Sequence, residues 1–459
     1  MRFPLIFMVA QSAVVVLWGT VSGCRLHFPQ TPEGDAAIDG AADAAADSTA
    51  QSDGPVISDA ELFDAAVDVL QHQDTGLVDG SVDAQGPVCG DGTKDPGEDC
   101  DDGNKLSHDG CSSGCTFEVP TWHKLSLTET PRARWGYSLA YDTDRAVVVL
   151  FGGTNGGEHD DTWEFDGNTW TQTVASSEPH PSPRHGAGMA YFPDIGHVIL
   201  FGGSDGSQTH QDTWAYAGGA WQSLSLSSNP EAREFPVMLY DAGMHRILLY
   251  GGRNAPSNLG DTWVFNGNTW ETIDISTAPS ARVAAASAYD TNGPRTVLFG
   301  GLGGGMKQDT WEFDGSLWTE ISCPAHPGPR YWAAMSFDPR IKRPILFGGN
   351  DPNGNTLSDT WEFDGTTWSR VLPAGDQPGG IGRLSMVYDI ELATSIMFGG
   401  LKPGAAQNDT WSYRWESAWP DESCSSGLDE DHDGLVDCAD PDCEGRRCAG
   451  GVCRNGICQ

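Results

Sequence analysis

The sequence predicts an all-β chain whose main domain is a ring of six four-stranded sheets. Three observations carry that prediction. Gly-Gly pairs close an apolar run at 152–153, 202–203, 251–252, 300–301, 348–349 and 399–400, at steps of 50, 49, 49, 48 and 51 residues. Asp-Thr-Trp recurs with its tryptophan at 163, 214, 263, 311, 361 and 411, and a second tryptophan follows seven residues later at 170, 221, 270, 318 and 368. The 459 residues also include 58 Gly and 17 Trp, a composition of short strands and tight turns rather than helices. Self-similarity at a period near 50 marks an architecture in which each unit buries its faces only against its neighbours.

Each unit reads as four strands. The first follows an arginine and alternates small with larger residues, as in Arg184-His185-Gly186-Ala187-Gly188-Met189-Ala190-Tyr191, which suits an innermost strand crowded around an axis. The second is a short apolar run such as His197 to Phe201, buried on both faces. The third begins at Asp-Thr-Trp. Asp166-Gly167, Asn266-Gly267, Asp314-Gly315 and Asp364-Gly365 then predict two-residue hairpin turns into a fourth strand that carries the second tryptophan. Five such fourth strands follow the first five units, and Trp122 precedes the first. The closing strand of the sixth sheet is therefore expected from the N-terminal side, with Trp415 or Trp419 as the local alternative. The paired glycines and spaced tryptophans resemble the kelch repeat over about residues 121–416. That resemblance implies a six-bladed β-propeller, with residues 121–420 as the domain.

Charge and the N-terminus bear on location. The chain has 26 Lys+Arg against 64 Asp+Glu, a formal charge of −38, which excludes unaided binding to nucleic acid or anionic lipid. Met1-Arg2, an apolar stretch from Phe3 to Trp18 and the small residues after it read as an export signal over 1–23. Val21-Ser22-Gly23-Cys24 resembles a bacterial lipobox, which implies acylation of Cys24 and membrane contact through lipid alone. Arg25 follows where Gram-negative lipoproteins retained at the inner membrane carry Asp, so the resemblance favours the outer membrane or cell surface. Residues 24–86 read as a tether. Thirteen acids oppose Arg25 alone, and Asp35, Asp39, Asp43 and Asp47 recur every four residues among alanines, so an extended, disordered, self-repelling spacer is expected.

The twelve cysteines mark two small modules. Cys89, Cys100, Cys111 and Cys115 fall in 87–118, and Cys424, Cys438, Cys443, Cys448, Cys453 and Cys458 fall in 421–459. Even clusters in short exported segments read as disulfide frameworks, with zinc as the competing use. The first cluster, with Cys89-Gly90-Asp91-Gly92 and Asp99-Cys100-Asp101-Asp102-Gly103-Asn104, resembles the cysteine-rich repeat of myxobacterial-type surface proteins, which implies a stalk module. In the tail, Asp429, Asp431, Asp433, Gly434, Asp437 and Asp440 occupy positions 1, 3, 5, 6, 9 and 12 of an EF-hand-like loop, with the Leu435 carbonyl at position 7. Such an oxygen set suits a structural Ca2+ ion. Asp440 reaches less far than the usual closing Glu and flanking helices are missing, so the loop resembles those of dockerin or thrombospondin type-3 repeats.

Function on such a ring is expected at the channel mouth. Arg134, Arg184, Arg233, Arg282, Arg330 and Arg383 stand one per unit, as do Asp161, Asp212, Asp261, Asp309, Asp359 and Asp409. Two readings stay open: the arginines form a guanidinium collar that clamps an anionic ligand such as a carboxylate sugar, or each pairs with a repeat aspartate. Seven to nine residues separate Gly-Gly from Asp-Thr-Trp in every unit, so no unit carries a long catalytic insertion. The expected role is a non-catalytic binding or adhesion scaffold for protein or glycan at the cell surface. The alternative, by resemblance, is a kelch-type sugar-active enzyme similar to sialic-acid mutarotase or galactose oxidase. Acid–base groups out of repeat register near an unpaired arginine would favour the enzyme. Cys323 stands at a mostly apolar strand position and reads as a buried thiol.

Overall fold

The computed structural model describes residues 88–95, 98–173 and 179–417, together with the short tail strands Arg447–Cys448, Gly451–Arg454 and Ile457–Cys458. Cys24, the 24–86 tether and the Asp429–Asp440 loop lie outside the described residues. Among the described residues no helix is long and apolar enough to cross a membrane.

Six sheets form the blades of a propeller, five of them of four antiparallel strands, while in the sixth the two-residue strand Ala374–Gly375 adds a parallel pairing at the outer edge. Their innermost strands are Ser138–Asp142, Gly188–Phe192, Val237–Asp241, Ala286–Asp290, Ala334–Asp338 and Met386–Asp389. The second strands hold the blades together. In His197–Phe201, Val198 and Leu200 pack with Val149 and Phe151 of the blade before, whereas Ile199 and Phe201 pack with Ile247 and Leu249 of the blade after. Alternation of side chains across a pleated strand thus turns one apolar run into two interfaces.

The second tryptophans lock those interfaces. Each donates its indole N–H to the threonine that opens the third strand of the preceding blade: Trp221 to Thr162 at 2.8 Å, Trp270 to Thr213 at 3.0 Å, Trp318 to Thr262 at 3.2 Å and Trp368 to Thr310 at 2.9 Å. Trp170 reaches Thr410 at 2.9 Å and Trp122 reaches Thr360 at 3.2 Å, so the series closes on itself. The closing strand is therefore the N-terminal one. Glu118–Lys124 pairs antiparallel with Thr410–Ser417, placing Trp122 opposite Tyr413. Trp415 lies in the third strand, opposite Pro120, and does not supply a local fourth strand.

Two expected details differ. In the first five blades the innermost strand begins four residues after the repeat arginine, because the residue two beyond it adopts a left-handed conformation, as Gly186 does at φ +66°. The turns between third and fourth strands span four residues in the Asp-Gly and Asn-Gly blades: Phe165 pairs with Trp170, and the Asp166 carboxylate accepts the Asn168 and Thr169 N–H groups. The two-residue turn occurs instead in the second blade, at Gly218-Gly219 between Ala217 and Ala220.

The preceding module is cross-linked by Cys89–Cys115 and Cys100–Cys111. Its Asp101 carboxylate accepts the N–H groups of Gly90, Asp91, Gly92 and Gly103. The module joins the propeller through Glu118, which takes the N–H groups of His108, Asp109 and Gly110, and through Arg340, which donates to the Ser107 carbonyl at 2.5 Å.

Candidate functional site

Five of the six predicted arginines are structural. Arg134, Arg184, Arg233, Arg282 and Arg330 are 0–2 % exposed, and each makes a two-pronged pair with the aspartate of its own repeat. Each also donates to the carbonyl of the first Gly of its Gly-Gly pair, at 2.9–3.1 Å. The tryptophan of Asp-Thr-Trp completes the arrangement by donating to the same carboxylate, as Trp311 does to Asp309 at 2.8 Å. Burial alone would raise these carboxyls, but the arginine hydrogen bonds and charge hold them below the usual range. Guanidinium groups spent this way are not a collar for a ligand.

Arg383 is the exception, and the reason is register. In five units the arginine stands 18 residues before the first Gly. In the sixth unit that position is Ile381, whose carbonyl takes the Gly349 N–H as the arginine carbonyls do elsewhere. Asp409 is left to Lys124 of the closing strand, at 2.8 Å. Arg383 falls two residues further on, in a belt that circles the channel. There Gly136, Gly186, Phe235, Ala284, Trp332 and Arg383 each donate their N–H to the carbonyl of the preceding member, and Gly136 donates to Arg383 at 3.1 Å. All six have φ between +50° and +66°. For the four non-glycine members this conformation costs on the order of 1 kcal/mol each, and the closed belt holds it.

Where the belt carries large side chains, it makes a collar. A Cβ on Gly186 would lie 3.0 Å from the Phe235 ring, so glycine there leaves room for that ring across the mouth. Trp332 stands 6.1 Å from Phe235. The Arg383 guanidinium lies between two indoles, its carbon 3.9 Å from the Trp332 ring centroid and 4.2 Å from that of Trp135. No carboxylate pairs with it among the described residues, and burial lowers its pKa while leaving it cationic. The Trp332 indole N–H beside it is buried without an acceptor.

An ionisable cluster adjoins the collar. His185 stacks near Trp135 at 5.6 Å, with Nδ1 3.1 Å from Glu158 Oε1 and Nε2 3.3 Å from Glu234 Oε2. Glu234 also accepts from Arg253. Burial would raise its carboxyl, and the His185 and Arg253 hydrogen bonds bring it below the ordinary value. His185, Glu234 and Arg253, with Gln208, Thr209 and Asn254, line a polar cleft of about 640 Å³ between the second and third blades. None of this follows the six-fold repeat. Behind the collar runs a channel of about 570 Å³, walled by the innermost strands.

Sequence reasoning placed Arg383 at the mouth but missed its neighbours. Aligning the units on Gly-Gly exposes the signal, because Phe235, Trp332 and Arg383 interrupt a position that is otherwise Gly or Ala. Cys323 is half-buried against the core between the fourth and fifth blades, away from the channel wall and less enclosed than expected.

Comparison with known proteins agrees with this architecture. The model of the KLHDC2/KLHL20/DRC7 Kelch-repeats domain matches residues 112–301 and 180–337. A domain of unknown function, DUF4215, matches residues 84–116, which hold both disulfides. No curated protein matches the chain. Among solved structures, the one titled "Structure of YjhT" superposes with a TM-score of 0.51 at 17% identity, over 62% of this chain and 95% of that one, a likeness of fold.

Proposed function

We propose that this Kelch-repeat propeller is a non-catalytic binding module that captures a carboxylate-bearing group of a protein or glycan at the Arg383 collar. The observation that carries this reading is a guanidinium held between Trp135 and Trp332 with no carboxylate paired to it among the described residues. Five sister arginines show what the fold does with an arginine that only stabilises it: it buries the group on an aspartate. An anion arriving at Arg383 gains a charge-assisted pair in a partly desolvated aromatic setting. In the same proposal a lipid anchor at Cys24 and the acidic tether display the propeller outside the cytoplasm. Calcium held by Asp429, Asp431, Asp433, Leu435, Asp437 and Asp440 braces the tail, and nucleic acid is not a partner.

Calorimetric titration of the full chain with glucuronate and with glucose tests the reading. Glucuronate is expected to bind, glucose to bind at least tenfold more weakly, and Arg383→Gln to remove the difference. Equal binding of the two sugars, or an indifferent Arg383→Gln variant, would overturn it. A second reading draws on His185. A donor–acceptor pair with Glu234, out of register and sharing Trp135 as a neighbour with Arg383, supports acid–base chemistry on a bound sugar, as in a mutarotase-like enzyme. In that case His185→Ala keeps glucuronate binding and abolishes any acceleration of anomer exchange followed by NMR.

A further inference from the structure

We infer that the ligand of the Arg383 collar is a single-chain amphiphile, an alkyl carboxylate whose tail occupies the propeller channel; this rests on the carboxylate reading of Arg383. The channel's composition points to that class. Of the described side chains that line its roughly 570 Å³, Arg383 alone carries a charge. Midway along, Leu139, Met189, Met238, Met335 and Met386 stand at equivalent positions on five strands, with Ser287 on the sixth, and the rest of the wall combines Ala, Gly, Val and Leu with scattered Ser and Thr hydroxyls. Unbranched thioether side chains adapt their shape to a flexible apolar guest.

The two ends differ in kind. The collar end offers one cation and the buried Trp332 N–H. The far end carries Tyr141, Tyr191, Tyr240, Tyr289 and Tyr388 with Phe337, and Tyr240 donates to Asp194 at 3.0 Å while Tyr289 accepts the Gly243 N–H at 2.7 Å. A monoanion matches the single guanidinium. A second charge would lose its water in a channel where no other charged side chain lines the wall among the described residues. The innermost strands run five residues in most blades, and with the collar residues they give a depth of about 20 Å at ~3.3 Å per residue, room for an extended chain rather than a stacked ring. The volume falls within the ordinary range of small-ligand sites, ~300–1,000 Å³.

The test is a chain-length series on the full chain: acetate, hexanoate, decanoate and dodecanoate below their aggregation thresholds, with glucuronate and dodecyltrimethylammonium alongside. Affinity is expected to rise with length by up to about fourfold per methylene. Dodecyltrimethylammonium should bind at least tenfold more weakly than dodecanoate, and Arg383→Gln should cost dodecanoate at least tenfold. Ser287→Trp, which fills the lumen at the level of the methionines, should flatten the length dependence while the near-ultraviolet circular dichroism of the fold persists. The wild-type series alone decides the matter if that variant does not fold. Glucuronate binding through Arg383 with no gain from alkyl length overturns the amphiphile and leaves the carboxylate reading standing. An ammonium amphiphile that binds as well as the carboxylate, or indifference to Arg383→Gln, overturns both.

Discussion

Asp309 holds Arg282 through two hydrogen bonds of 2.7 Å and accepts the Trp311 indole N–H as well, so a single carboxylate satisfies three buried donors. Asp309→Asn keeps the shape and removes the charge, leaving a guanidinium that is 1 % exposed without a counter-ion. Unfolding in urea at pH 7 is expected to show a loss of about 3 kcal/mol. The pH dependence has a definite sign. Burial would raise the Asp309 pKa, yet the Arg282 hydrogen bonds and charge leave it below its ordinary value. The pair's contribution is therefore fully present above the unfolded carboxyl pKa of about 3.9 and disappears as pH falls through the lower folded value. Wild type and variant should converge in acid. At this scale the sequence was legible in kind but not in position. The repeat arginines and aspartates were visible, and so was the alternative that they pair. Arg383 passed as the sixth member because it is the arginine nearest the start of its unit, although 18 residues before Gly399 the chain has Ile381.

The closing strand shows the same fold at the level of an element. Glu118–Lys124 brings three things that the other blades draw from their own repeat: the indole of Trp122 on Thr360, the Lys124 cation on Asp409, and an edge for Thr410–Ser417. Trp122 is fully buried, with Phe347 and Tyr413 rings at 4.7 and 5.0 Å. Trp122→Ala should therefore destabilise the ring by about 3–5 kcal/mol, as large-to-small changes in packed cores do. Trp122→Phe keeps much of the packing, loses the Thr360 hydrogen bond and should cost about 1 kcal/mol. Thermal unfolding of both variants distinguishes packing from hydrogen bonding, and equal losses would show that the hydroxyl contact governs closure. Counting five outer strands after six Asp-Thr-Trp motifs was enough to assign this strand, since a propeller needs as many outer strands as blades. The turns were less legible. Asp-Gly suits a two-residue hairpin, but it also suits a four-residue loop in which the Asp166 side chain caps two N–H groups and Gly167 takes φ +90° one step later.

At the scale of the molecule, the crosslinks and the core are separated among the described residues. Both described disulfides lie within residues 89–115, closing separations of 26 and 11 residues, whereas the blades depend on strands whose side chains are buried by their neighbours. In the module Cys111 and Cys115 are the buried apolar residues, so little besides the bridges opposes chain entropy there. Each bridge is worth about 3 kcal/mol on the loop-closure account. Reduction should accordingly unfold the module and spare the propeller. The propeller loses the three N–H groups that Glu118 accepts, the Arg340 bond to Ser107 and the His108 ring contact with the Trp415 carbonyl, contacts at the start of the closing strand, in a fifth-blade turn and near the end of the last blade's third strand, outside the buried cores. Hydrogen exchange with and without dithiothreitol reads this directly. Amides of residues 98–117 should lose protection on reduction, Glu118 and Val119 should fray, and Val148–Phe151 and its counterparts should stay protected with the melting midpoint lowered by a few degrees at most. If the second-strand amides of the blades lose protection together with the module, the two form one cooperative unit and the closing strand depends on the bridges rather than on Trp122.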